Sequence, residues 1–168
     1  MSQPAIIILT QSALPVAEKI AAVTGGTIHA LDGRGVEGGA VRFSNTAEHT
    51  RHLFAAGTPV VGIMASGALI RMLAPMLNDK QTEPAVVAVA DDGSAVVPLL
   101  GGHHGANDLA RVIAEALGIK AAVTALSMPK EMIEFQGKVI ASATPLDSAS
   151  RASGAETCTL VAPSSAII

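Results

Sequence analysis

Tryptophan and tyrosine are absent from this 168-residue chain, and Phe43, Phe54 and Phe135 are its only phenylalanines. Bases would find almost no stacking platform. The formal net charge is −3 and Lys and Arg never cluster, so no basic track for phosphates exists either. Nucleic acid is not an expected partner. Cys158 is the single cysteine; an internal disulfide is impossible and a thiolate metal site cannot be built from it, which fits a reducing compartment. No window approaches the roughly 18 uninterrupted apolar residues of a membrane span. The apolar run 5–9 has no basic segment before it and is too short for a secretory signal. The expectation is a cytoplasmic protein that does not enter the membrane.

What the chain has in quantity is aliphatic side chain: 49% of its residues are apolar, dominated by Ala, Val, Ile and Leu. Short β-branched runs at 6–9, 59–64, 85–90 and 95–100 read as buried strands. Between them lie stretches with apolar residues at helical spacing. One begins near Ser12, placed to cap it, carries Pro15 in its first turn and stops at Gly25–Gly26. Another follows Asn45 or Thr46, and a third opens at Ser66–Gly67 with Leu69, Ile70 and Leu73 on its apolar side. Residues 27–30 form a candidate strand, whereas the glycines between 33 and 39 predict a loop or an irregular sheet edge up to Ser44. The link Asp91-Asp92-Gly93-Ser94 between two apolar runs predicts a β-hairpin. A last helix spans about 106–117, with a short strand expected at 121–124.

This alternation implies an α/β fold: three layers, a mostly parallel sheet with helices on both faces and one hairpin. The pattern weakens after 124, leaving candidate strands only at 138–141 and 159–162. The domain reading is therefore residues 1–124 as one α/β domain and 125–168 as an appendage or a truncated continuation.

Polar chemistry is densest at one turn, Gly101-Gly102-His103-His104-Gly105-Ala106-Asn107-Asp108, between the last apolar run and the last helix. Glycine without a Cβ lets a ligand approach the backbone there. Imidazole is the commonest proton acceptor among side chains, which makes His103 a candidate general base. The plainer reading is a surface loop in which a ring caps a backbone group. Adjacent histidines rarely face one ion, and no nearby Cys, Asp or Glu completes a set, so neither a metal site nor a cofactor is expected.

Together with that turn, Gly62-Ile63-Met64-Ala65-Ser66-Gly67-Ala68, Arg71, Ala74-Pro75, Asp79-Lys80, Pro84-Ala85-Val86-Val87, Asp91 and Gly93 carry a family resemblance. In this order they resemble the N-terminal domain of CbiG-type cobalamin biosynthesis proteins, the cobalt-precorrin-5A hydrolases. Family members often carry Ser-Gly-His-x-Gly-Gly-Ala-Asn at the turn, and residues 102–107 match it with one residue fewer. This shorter form is similar to the domains fused ahead of a precorrin-3B C17-methyltransferase. The resemblance covers about 5–124. It implies a precorrin or cobalt-precorrin intermediate as ligand and, as activity, opening of a δ-lactone with release of acetaldehyde. Nothing after 124 resembles the family's C-terminal domain. The glycine-rich nucleotide loop of a fused methyltransferase is not present, so methyl transfer by this chain alone is not expected.

Opening a lactone needs an activated water, a proton acceptor and donors for the oxyanion. The expected catalytic residues are His103 and Asn107, the latter orienting the ring or the substrate carbonyl. The backbone N–H groups of Gly105 and Ala106 are the expected oxyanion donors. Substrate binding is expected from Ser12, Ser66, Gly67, Arg71, Lys80, Gly102, His104, Gly105 and Ala106, with Arg71 or Lys80 pairing carboxylates. If the parallel strands all deliver their loops to one edge, Ser12, Ser66, Gly67, His103 and Asn107 line a single cleft. The alternative reading is a non-catalytic module that holds a corrinoid or docks on a methyltransferase or another corrin-pathway enzyme.

Overall fold

The computed structural model describes residues 2–37 and 41–124; the expected strands at 138–141 and 159–162 lie outside them. The first of the chain's two units ends at Ala125, and the account below concerns that unit.

Its centre is a six-stranded sheet in the order β3-β2-β1-β4-β5-β6. The strands are β1 (Ala5–Ile8), β2 (Thr27–Leu31), β3 (Val41–Phe43), β4 (Val60–Ile63), β5 (Val86–Val89) and β6 (Val96–Leu100). The first five run parallel, and β6 pairs antiparallel with β5. Four helices cover it: α1 (Leu14–Thr24), α2 (Thr46–Ala55), α3 (Ser66–Leu73) and α4 (Ala106–Ala116).

Alternation along the strands sorts the core into two layers. Ile6, Ile8, Val61, Ile63, Val87 and Val89 pack with Ala17 and Ile20 of α1 and with Ala110 and Ile113 of α4. Ile7, Val60, Val86 and Ala88 face the other way, onto Phe54 of α2 and Leu69 and Leu73 of α3. Strands buried on both faces need continuous apolar runs, which is why β1 and β5 are aliphatic throughout and β4 is so except at Gly62. Gly62 of β4 lets α3 approach closely: a Cβ there would lie 2.9 Å from Leu69 Cδ2.

The fold class matches the reading of the sequence, and so do most elements. Asn45 caps α2, its side chain accepting from the Glu48 N–H at 3.1 Å. The hairpin link is closed by Gly93 N–H to Ala90 C=O at 2.9 Å and by Ser94 N–H to the Asp92 carboxylate at 2.9 Å. Val41–Phe43 takes the second of the two alternatives for the stretch up to Ser44, a sheet edge, as a short strand. Two local expectations differ. Ser12 caps no helix, because a 3₁₀ turn at Gln11–Ala13 precedes α1 and its hydroxyl pairs instead with that of Thr10 at 3.0 Å. No strand forms at 121–124, where the Ala122 N–H donates to Val96 C=O at 2.8 Å without extending the ladder.

Candidate functional site

The chain leaves β1 through α1 toward β2 and β3 on one side, then crosses back to β4 and β5 on the other. Helices after β1 and β4 thus diverge, and a crevice opens outside the carboxyl ends of these two strands, the usual ligand position in open α/β sheets. A cavity of about 560 Å³ lies there. Leu9 and Thr10 follow β1, Met64 to Ser66 follow β4, and Ala90 and Asp91 follow β5 at its rim. Ile63, Val89 and Val97 supply apolar wall. Of the expected binding residues, Ser66 lines this cleft and Gly67 is next to it in the first turn of α3. Ser12 reaches the region through its hydroxyl contact with Thr10. Arg71 folds back along α3, so that a Cβ on Gly67 would lie 3.4 Å from its Nη1.

The histidine turn is elsewhere. Because β6 runs antiparallel, Leu100 pairs with Val86, the first residue of β5, and the segment after β6 emerges at the amino ends of the parallel strands. Gly101 marks the place: it has φ +69°, and a Cβ on it would lie 2.3 Å from the Pro84 carbonyl oxygen, just ahead of β5. The expected single cleft of Ser12, Ser66, Gly67, His103 and Asn107 therefore does not form. The hairpin that the sequence announces also reverses the last strand, and with it the edge to which His103 and Asn107 are delivered. Lys80 lies in the 78–83 connection that precedes β5, and its neighbour Asp79 shares a small cavity with Gly57, ahead of β4.

Gly102, His103 and His104 form an exposed 3₁₀ turn. Neither imidazole makes a hydrogen bond to a described residue. The Ala106 N–H is already spent on the Gly101 carbonyl at 3.1 Å, which removes it as an oxyanion donor. Asn107 has Nδ2 3.6 Å from where a Gly102 Cβ would be and does not bond His103. A second cavity of about 340 Å³ at this edge is lined by Pro4, Thr24, Pro59, His104, Gly105 and Leu109, among others, but not by His103.

The sequence reading missed a third cluster. His29 of β2 is buried, and its Nδ1 lies 2.8 Å from Nε2 of His49 on α2. The His49 ring stacks on Phe43, with centroids 4.5 Å apart and planes within 5°. Burial holds His29 below the ordinary histidine pKa, and the neighbouring His49 adds to this. His49 is likewise lowered, first by burial and then by His52. Twenty residues separate the partners; the only signal was a histidine at a strand position that must face inward. Among the described residues no group of three or more His, Cys, Asp or Glu side chains is placed to hold a metal ion, and no helix is long and apolar enough to cross a membrane.

Residues 48–127 match the family described as cobalamin synthesis G N-terminal. Over 91 residues, 54% of this chain, the sequence is 42% identical to a cobalt-precorrin-5A hydrolase of Salmonella typhimurium. Over 76 residues, 45% of the chain, it is 43% identical to a cobalt-precorrin-5A hydrolase of Priestia megaterium. These matches cover only 25% and 20% of the two relatives. A solved structure of a cobalamin biosynthesis protein G homolog from Sulfolobus solfataricus superposes with a TM-score of 0.53 at 26% identity, over 77% of this chain and 39% of that one. The resemblance read from the ordered motifs thus recurs in the family match, in the two relatives and in the fold. The family match thus spans residues 48–127, a little under half of the chain.

Proposed function

We propose that this chain acts in corrin biosynthesis by binding an acidic, tetrapyrrole-derived precorrin intermediate in the cleft at the carboxyl ends of β1 and β4. The observation that carries this reading is the position of the cleft. It lies at the topological switch of a sheet whose β4–α3 segment falls within the family match, with Ser66 and Thr10 as hydroxyl donors on an apolar slot. A macrocycle with acid arms presents a flat apolar body to such walls and polar groups to such a rim. Ser12, Ser66, Gly67 and Arg71 form the binding set on this edge.

Lactone opening is the second reading, favoured by the cobalt-precorrin-5A hydrolases among the relatives. In it His103 accepts the proton of the attacking water, Asn107 positions the carbonyl, and Gly102, His104 and Gly105 shape the turn around the substrate. Lys80, at the same edge, pairs an acid arm. The exposed turn gives His103 no orienting partner among the described residues, so binding precedes hydrolysis in what the geometry supports. A methyltransferase or another corrin-pathway enzyme is the partner that would receive or deliver the intermediate.

Mixing the purified chain with cobalt-precorrin-5A, and following both affinity and acetaldehyde, tests the two readings together. Binding without aldehyde supports the module. Aldehyde that disappears in His103→Ala supports hydrolysis at the turn. Failure to bind refutes both.

A further inference from the structure

The link between β5 and β6 is held by its own backbone and by the helices beneath it. Ala90 N–H donates to the Ala95 carbonyl at 3.0 Å, and the Asp92 carboxylate accepts from the Ser94 N–H. Gly93 is buried, and a Cβ there would lie 3.5 Å from Val16 Cγ2 of α1 and 3.6 Å from Leu117 Cδ2 at the end of α4. The turn thus uses Asp92 and Gly93 for its shape. The Asp91 carboxylate has no such duty and bonds no described residue. Among the described residues it is also the only ionisable side chain lining the 560 Å³ cleft. Other carboxylates without a described partner, Glu18, Glu83 and Glu115 among them, lie outside that cleft. Strand register brings Asp91 to the same rim as Ser66. Ile63 pairs with Val89, so Ala65 and Asp91 each stand two residues past a paired position on adjacent strands, spaced about 4.8 Å where they pair. Ser66, next along, lines the cleft, and its hydroxyl has no described partner. One rim of an apolar slot therefore carries a proton acceptor and a hydroxyl donor.

We propose that Asp91 is the general base of lactone opening and that this reaction takes place in the carboxyl-edge cleft. The inference rests on binding in that cleft, and it assigns there the proton acceptor that the second reading places at His103. With a lactone carbonyl seated beside Ser66, a water held by Asp91 stands against the acyl carbon. As the water oxygen bonds to that carbon, its proton passes to the carboxylate and the carbonyl electrons move onto oxygen, to which the Ser66 hydroxyl donates. The acyl C–O bond of the ring then breaks, and the departing alkoxide takes the proton from Asp91. Water and lactone have become a carboxylic acid and an alcohol, and the Asp91 carboxylate is restored. His103 has no comparable setting, since it stands on an exposed turn at the opposite edge and lines neither of the two larger cavities.

Cobalt-precorrin-5A is the probe, with Kd taken from equilibrium titration and kcat from released acetaldehyde. Wild type is expected to bind and to release aldehyde. Asp91 is exposed, so Asp91→Asn is expected to keep the wild-type urea midpoint. Its Kd should stay within about threefold while kcat falls about a hundredfold or more. Asp91→Ala is expected to lose as much, and added formate, a small carboxylate, to restore part of the rate. Glu115→Gln, exposed on α4, leaves both constants unchanged. A wild-type kcat in Asp91→Asn overturns the assignment, as does a loss that appears wholly in Kd. Binding by wild type without aldehyde overturns it too, and leaves the binding reading standing. If wild type does not bind, the cleft reading fails and the inference fails with it.

Discussion

Nδ1 of His29 and Nε2 of His49 lie 2.8 Å apart, so a single proton is shared between a strand near the sheet's edge and the helix that covers it. Such a contact needs one ring to donate and the other to accept, and it fails when both nitrogens carry protons. The first prediction concerns acid. Both pKa values are lowered in the folded chain relative to the ordinary histidine value of 6.5. The unfolded chain therefore binds protons first as pH falls, and stability that is fully present above 6.5 is lost below it, as pH drops toward the folded values. Urea unfolding followed from pH 7.5 to 5 should show the midpoint falling below 6.5, with a shallower fall in His29→Leu/His49→Phe. Equal slopes in the two proteins would remove the pair as the cause.

Truncating one partner alone should be worse than replacing both. His49→Ala leaves a polar nitrogen of the buried His29 without its partner and removes the ring stacked on Phe43. A cost of about 1–3 kcal/mol at pH 7.5 is expected from the unsatisfied group. A denaturation midpoint indistinguishable from wild type would contradict it.

Gly101 combines φ +69° with a neighbouring carbonyl 2.3 Å from where a Cβ would go. Alanine there cannot be absorbed by a rotamer change, because the obstacle is backbone. Gly101→Ala should lose more than about 2 kcal/mol, and its amide shifts should change in both the 101–105 turn and residues 84–85. A shift confined to residue 101 would mean that the turn and the β5 entry are not in contact.

Helix α3 rides on Gly62, with Leu69 Cδ2 only 2.9 Å from a hypothetical Cβ. Gly62→Ala is expected to cost about 1–3 kcal/mol through overpacking. Combined with Leu69→Val, part of that cost should return, giving a coupling energy of at least about 0.5 kcal/mol in a double-mutant cycle. Strict additivity would show that α3 adjusts its seat freely.

The two sheet edges can be separated by blocking each in turn. Ala95 is exposed and lines the carboxyl-edge cleft, whereas His104 lines the cavity at the opposite edge. Ala95→Trp should weaken binding of a precorrin intermediate by more than about thirtyfold, since an indole occupies much of the slot; His104→Trp should change it less than about threefold. The reverse ranking, read by equilibrium titration, would relocate binding to the histidine turn.

Much of this domain can be read along the chain. The aliphatic runs of β1, β4 and β5 fit strands covered on both faces, Asn45 stands where α2 needs a cap, and Asp91 to Ser94 spell a reversal of direction. These are short-range preferences of backbone and side chain, and they hold whatever the rest of the molecule does. The ordered motifs from Gly62 to Asn107 also point to the family, which the comparisons bear out. Two matters were settled only in three dimensions. Which edge receives a loop depends on the direction of its strand relative to all the others, so the reversal of β6 moved His103 and Asn107 away from Ser66 although the hairpin itself is legible in the sequence. The meeting of His29 with His49 depends on how α2 lies over β2, and no periodicity within either segment encodes a partner twenty positions away. Local chemistry sets what each segment becomes, whereas packing and strand direction set which chemical groups meet.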